Sequence, residues 1–156
     1  MKALLAALAM PIAIAAMPAA AQEAPPAVTL DHVALFVADP QKSIDFYAGL
    51  FGLKEIRSPF PPGGPRWMAF GNGLELHLQP GRKDPIALPR RVHFAVNVPN
   101  LDPVIAWLRA HDIVWVDSAD RPGMVSRTRT DGVQQIFFQD PDGYWVEVND
   151  VKKPET

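Results

Sequence analysis

Residues 31–40 read Asp31-His32-Val33-Ala34-Leu35-Phe36-Val37-Ala38-Asp39-Pro40, and this stretch decides the fold because a short β-branched run ends at a helix start. Side chains alternate across a strand, so in a strand over 29–37 Val33, Leu35 and Val37 suit a core while His32, Ala34 and Phe36 face the other way. Asp39 then offers an N-cap with Pro40 at the first helical position. Ile44, Tyr47, Leu50 and Phe51 recur at helical spacing, and Gly52 is placed to end the helix. Further out, 53–57 reads as a short strand and 58–65 as a loop dense in Pro and Gly. Residues 67–70 and 74–79 make a hairpin across Gly71-Asn72-Gly73. The first half is therefore βαβββ.

Sixty-one residues on, the pattern returns. His32 meets His93, Ala34 meets Ala95, Val37 meets Val98, Asp39 meets Asn100, Ile44 meets Ile105 and Phe46 meets Trp107. Caps, helix face and strand face agree together, which is what an internal repeat produces. The second unit has a strand at 91–98, a helix at 101–111 capped by Asn100 and a strand at 113–117. A long irregular stretch follows, then a hairpin of 134–139 and 144–149 around Asp140-Pro141-Asp142-Gly143. The expectation is an α+β fold of two βαβββ modules, about 29–80 and 90–150, in a single domain over 29–150.

A chain of 156 residues, 48% hydrophobic and 21% charged, supports one globular domain with one site region. A formal charge of -2 with neither sign massed into a run excludes nucleic acid as the expected partner. No cysteine is present, which removes disulfides, a thiol nucleophile, thiolate metal ligands and an acylated anchor. Met1-Lys2, the uncharged apolar run 3–16 and Ala19-Ala20-Ala21 read as a secretory signal over 1–21, cleaved before Gln22. Pro11 and Pro18 interrupt that run, so removal is favoured over a retained membrane anchor. A flexible leader over 22–28 and a tail over 151–156 flank the domain. The expected location is periplasmic or secreted, without stable membrane insertion.

The polar residues share one face of each half. In the fourth strand Leu74, Leu76 and Leu78 oppose Glu75, His77 and Gln79. In the fifth Val92, Phe94, Val96 and Val98 oppose His93, Ala95 and Asn97, and in the eighth Tyr144, Val146 and Val148 oppose Trp145, Glu147 and Asn149. If the halves pack together, His32 and Glu75 of one meet His93 and Glu147 of the other in a common cup. Carboxylates repel without a cation and neutral imidazole offers a lone pair, so this set predicts one divalent ion per site with positions left open. Mixed N and O ligands suit Zn, Ni, Co, Mn or Fe(II). His77 shares the face of Glu75 and competes with it as ligand, acts as a base beside it or sits at the rim; Glu75 ranks first.

These residues resemble the vicinal oxygen chelate superfamily, the glyoxalase, bleomycin-resistance and extradiol dioxygenase group. The resemblance spans nearly the whole of 29–150. Its carriers are Asp31-His32-Val33, Phe46-Tyr47, Gly52-Leu53, Leu74-Glu75-Leu76, Val92-His93-Phe94-Ala95-Val96 and, most specific, Phe138-Gln139-Asp140-Pro141-Asp142-Gly143-Tyr144-Trp145-Val146-Glu147. It implies paired modules cupped around a metal held at His32, Glu75, His93 and Glu147. It also implies a small-molecule substrate that chelates the ion through adjacent oxygens and reacts through an enediolate-like species. Glu147 or Glu75 would then be the catalytic base, with His77 as relay. Arg66, Arg127 and Arg129 are candidates for a substrate carboxylate, and Trp67, Phe36, Phe137 and Trp145 for apolar walls.

The leading expectation is a metal-dependent lyase or isomerase of glyoxalase type, with export counting against a glutathione-linked reaction. An extradiol-type dioxygenase is the second reading, and a protein that sequesters an antibiotic in the cup is the third. Modular duplication predicts a homodimer, and the ligand pairs are compatible with a cup formed within one chain or across the two-fold axis.

Overall fold

The computed structural model describes residues 26–152; the proposed signal segment, the start of the leader and the end of the tail lie outside them. The elements run β1 His32–Val37, α1 Pro40–Phe51, β2 Lys54–Ile56, β3 Arg66–Gly71, β4 Leu74–Pro80, β5 His93–Asn97, α2 Asp102–Ala110, β6 Trp115–Val116, β7 Gln135–Gln139 and β8 Trp145–Asn149. They form two separate four-stranded sheets, ordered β1-β4-β3-β2 and β5-β8-β7-β6. In each, the first strand of the module runs parallel to the last and leaves one edge free. The two βαβββ modules are thus present, and the fold is the paired-module α+β arrangement.

Local chemistry explains the element ends. Asp39 caps α1 by accepting from the backbone N–H groups of Gln41 and Lys42, and Gly52 closes it in the left-handed region at φ 69°. The β3–β4 turn holds Gly71, Asn72 and Gly73 all at positive φ, a run that only glycine and asparagine adopt cheaply. Most strand boundaries shift by one or two residues from the sequence expectation, and three differences have a local cause. The first strand begins at His32 rather than at 29, because Leu30 lies exposed ahead of the β4 partner. The second helix starts at Asp102 with buried Leu101 as its cap residue, while Asn100 Oδ1 still accepts the Asp102 N–H at 2.9 Å. The strand over 113–117 shrinks to Trp115–Val116 because Asp117 leaves the ladder for a turn, its carboxylate accepting from the N–H groups of Ala119 and Arg121.

One core serves both modules. Leu35, Val37, Met68, Leu76 and Leu78 from the first sheet join Ile136, Phe138, Val146 and Val148 from the second in a single buried cluster. Helix α1 packs against β4 of its own sheet and also reaches the second sheet, where Phe46 lies near Phe138 and Tyr47 near Phe94; Phe46 meets Trp107 of α2 edge-on at 5.5 Å. Burial of the largest apolar side chains on these inner faces is the dominant favourable term for the fold. The polar faces of the two sheets are consequently turned outward, away from the shared core.

Candidate metal centre

The first polar face carries a half-site. His32 in β1 stands opposite Glu75 in β4, and His77 follows two residues on along the same face. Cross-strand pairing puts Trp67 of β3 beside His77. Trp67 stacks on His77 with centroids 4.1 Å apart at 5°, and His77 stacks on His32 at 4.1 Å and 15°. His77 Nε2 lies 2.8 Å from Glu75 Oε2, and an ionised carboxylate only accepts, so this nitrogen donates. His32 Nδ1 lies 2.8 Å from Asp31 Oδ2. The same reasoning makes Nδ1 the donor and leaves the His32 Nε2 lone pair available, the arrangement by which a carboxylate orients a metal-binding imidazole.

The second face carries the other half-site. His93 Nδ1 lies 2.7 Å from the Arg90 carbonyl oxygen, so Nδ1 carries a proton, and the nitrogen of the ring that can offer a lone pair to an ion is Nε2. That nitrogen stands 3.1 Å from Glu147 Oε2. Two acceptors facing one another at this distance repel, and a positive charge relieves them, either a second proton on the His93 ring or a metal ion beside both. The other carboxylate oxygen of Glu147 is held by Asn149 Nδ2 at 2.9 Å. Phe137 meets the His93 ring edge-on at 5.3 Å, and the Arg90 guanidinium lies over Phe137 at 4.6 Å. The donor set therefore fits a divalent ion in chemistry: two imidazoles whose Nδ1 is engaged by an acceptor, leaving Nε2 for an ion, and two oriented carboxylates.

The four residues do not converge within one chain. Among the described residues no group of three or more His, Asp or Glu side chains closes into a metal-holding cluster. The shared core is the physical reason, since burying both apolar faces together sends both ligand faces outward. A cavity of 540 Å³ near the helices, lined by Phe46, Gly49, Trp107 and His111, contains none of the four.

The remaining candidates divide. Phe36 is exposed on the polar face of β1, its backbone N–H and C=O both bonded to the Tyr144 hydroxyl. Phe137 and Trp67 flank the two half-sites as described, and Trp145 donates from its indole to the Leu88 carbonyl at 3.1 Å. Arg66 is placed on the helix side, paired with Glu55 at 2.7 Å and bonded to Gln41 of α1. Its hydrogen bonds hold Glu55 below the usual carboxylate range. Arg127 bonds Gln134, and Arg129 pairs with Asp131, which raises the guanidinium further above its usual range; the Glu147 charge adds a smaller push in the same direction. Asp31, Arg90 and Asn149 touch the half-sites and are not among the site residues expected from sequence. Asn149 was visible as a same-face neighbour of Glu147 at i+2, whereas Arg90 lies on a loop that carries no period.

Residues 29–148 match the family model of the Glyoxalase/Bleomycin resistance protein/Dioxygenase superfamily. No curated protein matches the chain. Among solved structures, Oxidase ChaP-H2 is 22% identical with a TM-score of 0.62, covering 81% of this chain and 94% of its own. The glyoxalase family protein from Enterococcus faecalis is 25% identical with a TM-score of 0.59, covering 78% of this chain and 96% of its own. With two βαβββ modules in the structure and the model spanning both, the chain belongs to the Glyoxalase/Bleomycin resistance protein/Dioxygenase superfamily.

Proposed function

We propose that the protein is an exported, divalent-metal-dependent enzyme of glyoxalase type, a lyase or isomerase acting on a small substrate that presents adjacent oxygens. The reading is carried by the His93 Nε2 lone pair set 3.1 Å from a Glu147 carboxylate oxygen, matched by an available His32 Nε2 beside Glu75 on the other module. The ion would be held by His32, Glu75, His93 and Glu147 and would supply Lewis acidity to a substrate carbonyl. Glu147 or Glu75 then takes the proton from the neighbouring carbon, and Asn149 and His77 keep those carboxylates aimed. Phe36, Trp67 and Phe137 wall the substrate. Export rests on the sequence of 1–21.

Each cup is shared between two copies: module one of one chain faces module two of the other. Supporting this are the outward ligand faces, the β1 and β5 edges that no strand of the described residues pairs, and the exposed apolar side chains Phe36 and Val92 beside them. Mixing His32→Ala chains with His93→Ala chains tests both claims. A shared cup regains Co(II) binding in the mixed dimer, where one cup carries both lesions and the other none, about one intact cup in four on random pairing. A cup closed within one chain regains none, and wild-type protein that takes up no Co(II) refutes the metal reading itself.

A further inference from the structure

The polar face of the first module offers two imidazoles beside one carboxylate, and the structure distinguishes their roles. We infer that His77 is a positioning residue that aims Glu75 and is excluded from the ion, which on the module-one side is held by His32 and Glu75; this rests on the metal reading above.

An imidazole nitrogen binds a metal through a lone pair in the plane of its ring, at about 2.0–2.1 Å. The His32 and His77 rings are stacked, with centroids 4.1 Å apart and planes only 15° from parallel. An ion lying in one ring plane is therefore well out of the other, and the two rings as stacked cannot serve the same ion. Which ring is excluded follows from their surroundings. His32 is exposed, its Nδ1 is engaged by Asp31, and its Nε2 is free. His77 is only 7% exposed and has its Nε2 committed to Glu75 Oε2 at 2.8 Å; its remaining lone pair, at Nδ1, belongs to a buried ring closed in on both faces, by His32 and by Trp67 at 5°. By register alone His77, opposite Ala34, is the counterpart of Glu147, opposite Ala95, and Glu75 that of Trp145; the stacking and burial of the His77 ring are what assign the ion to Glu75 instead.

The second module uses the same device with a residue that carries no competing lone-pair nitrogen. Asn149, also buried and two residues beyond its carboxylate on the same face, donates to Glu147 at 2.9 Å, and its own Oδ1 accepts from Asn97 Nδ2 at 3.2 Å. Each carboxylate thus receives one hydrogen bond from the buried side chain at i+2, which orients it and leaves its other oxygen unencumbered.

The test is Co(II) affinity and the Co(II) d–d absorption spectrum of purified wild-type, His77→Gln, His77→Leu and His32→Gln proteins. Gln places an amide N–H near the His77 Nε2 position. His77→Gln should keep the wild-type spectrum and an affinity within about threefold, while His77→Leu should weaken binding by about 10–100-fold, the usual cost of losing an orienting partner. His32→Gln should change the spectrum through loss of a nitrogen ligand. The inference is overturned if His77→Gln changes the spectrum as His32→Gln does, or if His77→Leu binds as wild type. Should His77→Leu fail to fold by far-UV circular dichroism, the spectra of wild type and His77→Gln still decide. Absence of Co(II) binding in wild type overturns the metal reading and this assignment with it, whereas wild-type binding with either overturning result sinks this assignment alone.

Discussion

The wholly buried Tyr47 hydroxyl donates to Asp140 Oδ2 across 2.7 Å, tying α1 of the first module to the turn between β7 and β8 of the second. Burial pushes the phenol well above its usual range, so it stays a donor throughout the working pH. Burial also raises Asp140 above the ordinary carboxylate range, an effect the Tyr47 hydrogen bond partly offsets. Removing the hydroxyl with Tyr47→Phe should cost about 1–3 kcal/mol, the usual result of stripping a partner from a buried acceptor. A raised carboxylate contributes its stability when protonated, below about pH 4, and loses it as pH rises through the folded value. Losing the Tyr47 donor raises Asp140 further, so the penalty should be larger at pH 7 than at pH 4 in urea unfolding curves; a penalty independent of pH would refute this coupling.

Asp117 has the opposite sign. Hydrogen bonds from the Arg121 guanidinium and from backbone N–H groups hold it below the usual carboxylate range. Its stabilising contribution is present above the unfolded value near pH 4 and is lost as pH falls through the lower folded value. Asp117→Asn should lower the melting temperature at pH 7, and the difference from wild type should shrink toward pH 3. Melting curves at the two pH values measure it, and a gap that widens in acid would contradict the assignment.

Metal linkage gives a third expectation. An ion that binds only the folded protein stabilises it by about 2.7 kcal/mol at a free concentration 100-fold above its dissociation constant. For a domain of this size that is on the order of 10 °C in melting temperature. Co(II) should produce such a shift in wild type, and Glu147→Gln should lose most of it at the same concentration because the carboxylate facing His93 Nε2 is neutralised. Equal shifts in the two proteins would remove Glu147 from the ligand set.

Gly143 supplies a fourth. Its φ is 95°, and a Cβ there would lie 3.1 Å from the Ile86 carbonyl oxygen. Gly143→Ala therefore meets both an unfavourable backbone region and a backbone atom that cannot rotate away. The loss should exceed the roughly 1 kcal/mol of the conformational term alone, read from denaturant midpoints; a neutral substitution would mean that the loop at Ile86 yields freely.

How much of this was legible depends on the range of the interaction. Strand alternation and helix spacing are local, and so the cap at Asp39, the stop at Gly52, the face shared by Glu75 and His77 and the face shared by His93 and Glu147 could all be read directly. The Asp117 turn was not, because a carboxylate capping two N–H groups downstream looks in sequence like the end of a strand. Arg66 alternates onto the helix side of β3, where Gln41 meets it, a contact between elements that no single-strand pattern encodes.

The order of polar and apolar residues by itself determined two repeated units, each with a one-sided sheet, and which side chains each sheet presents. Only the tertiary structure decided how the units sit together. Phe46 and Tyr47 of the first module bury themselves against Phe138 and Phe94 of the second, so the apolar faces share one core and the polar faces look outward. It also decided the roles of the imidazoles, because ring stacking and tautomer depend on neighbours brought in from other strands: Trp67 beside His77, and the Arg90 carbonyl beside His93.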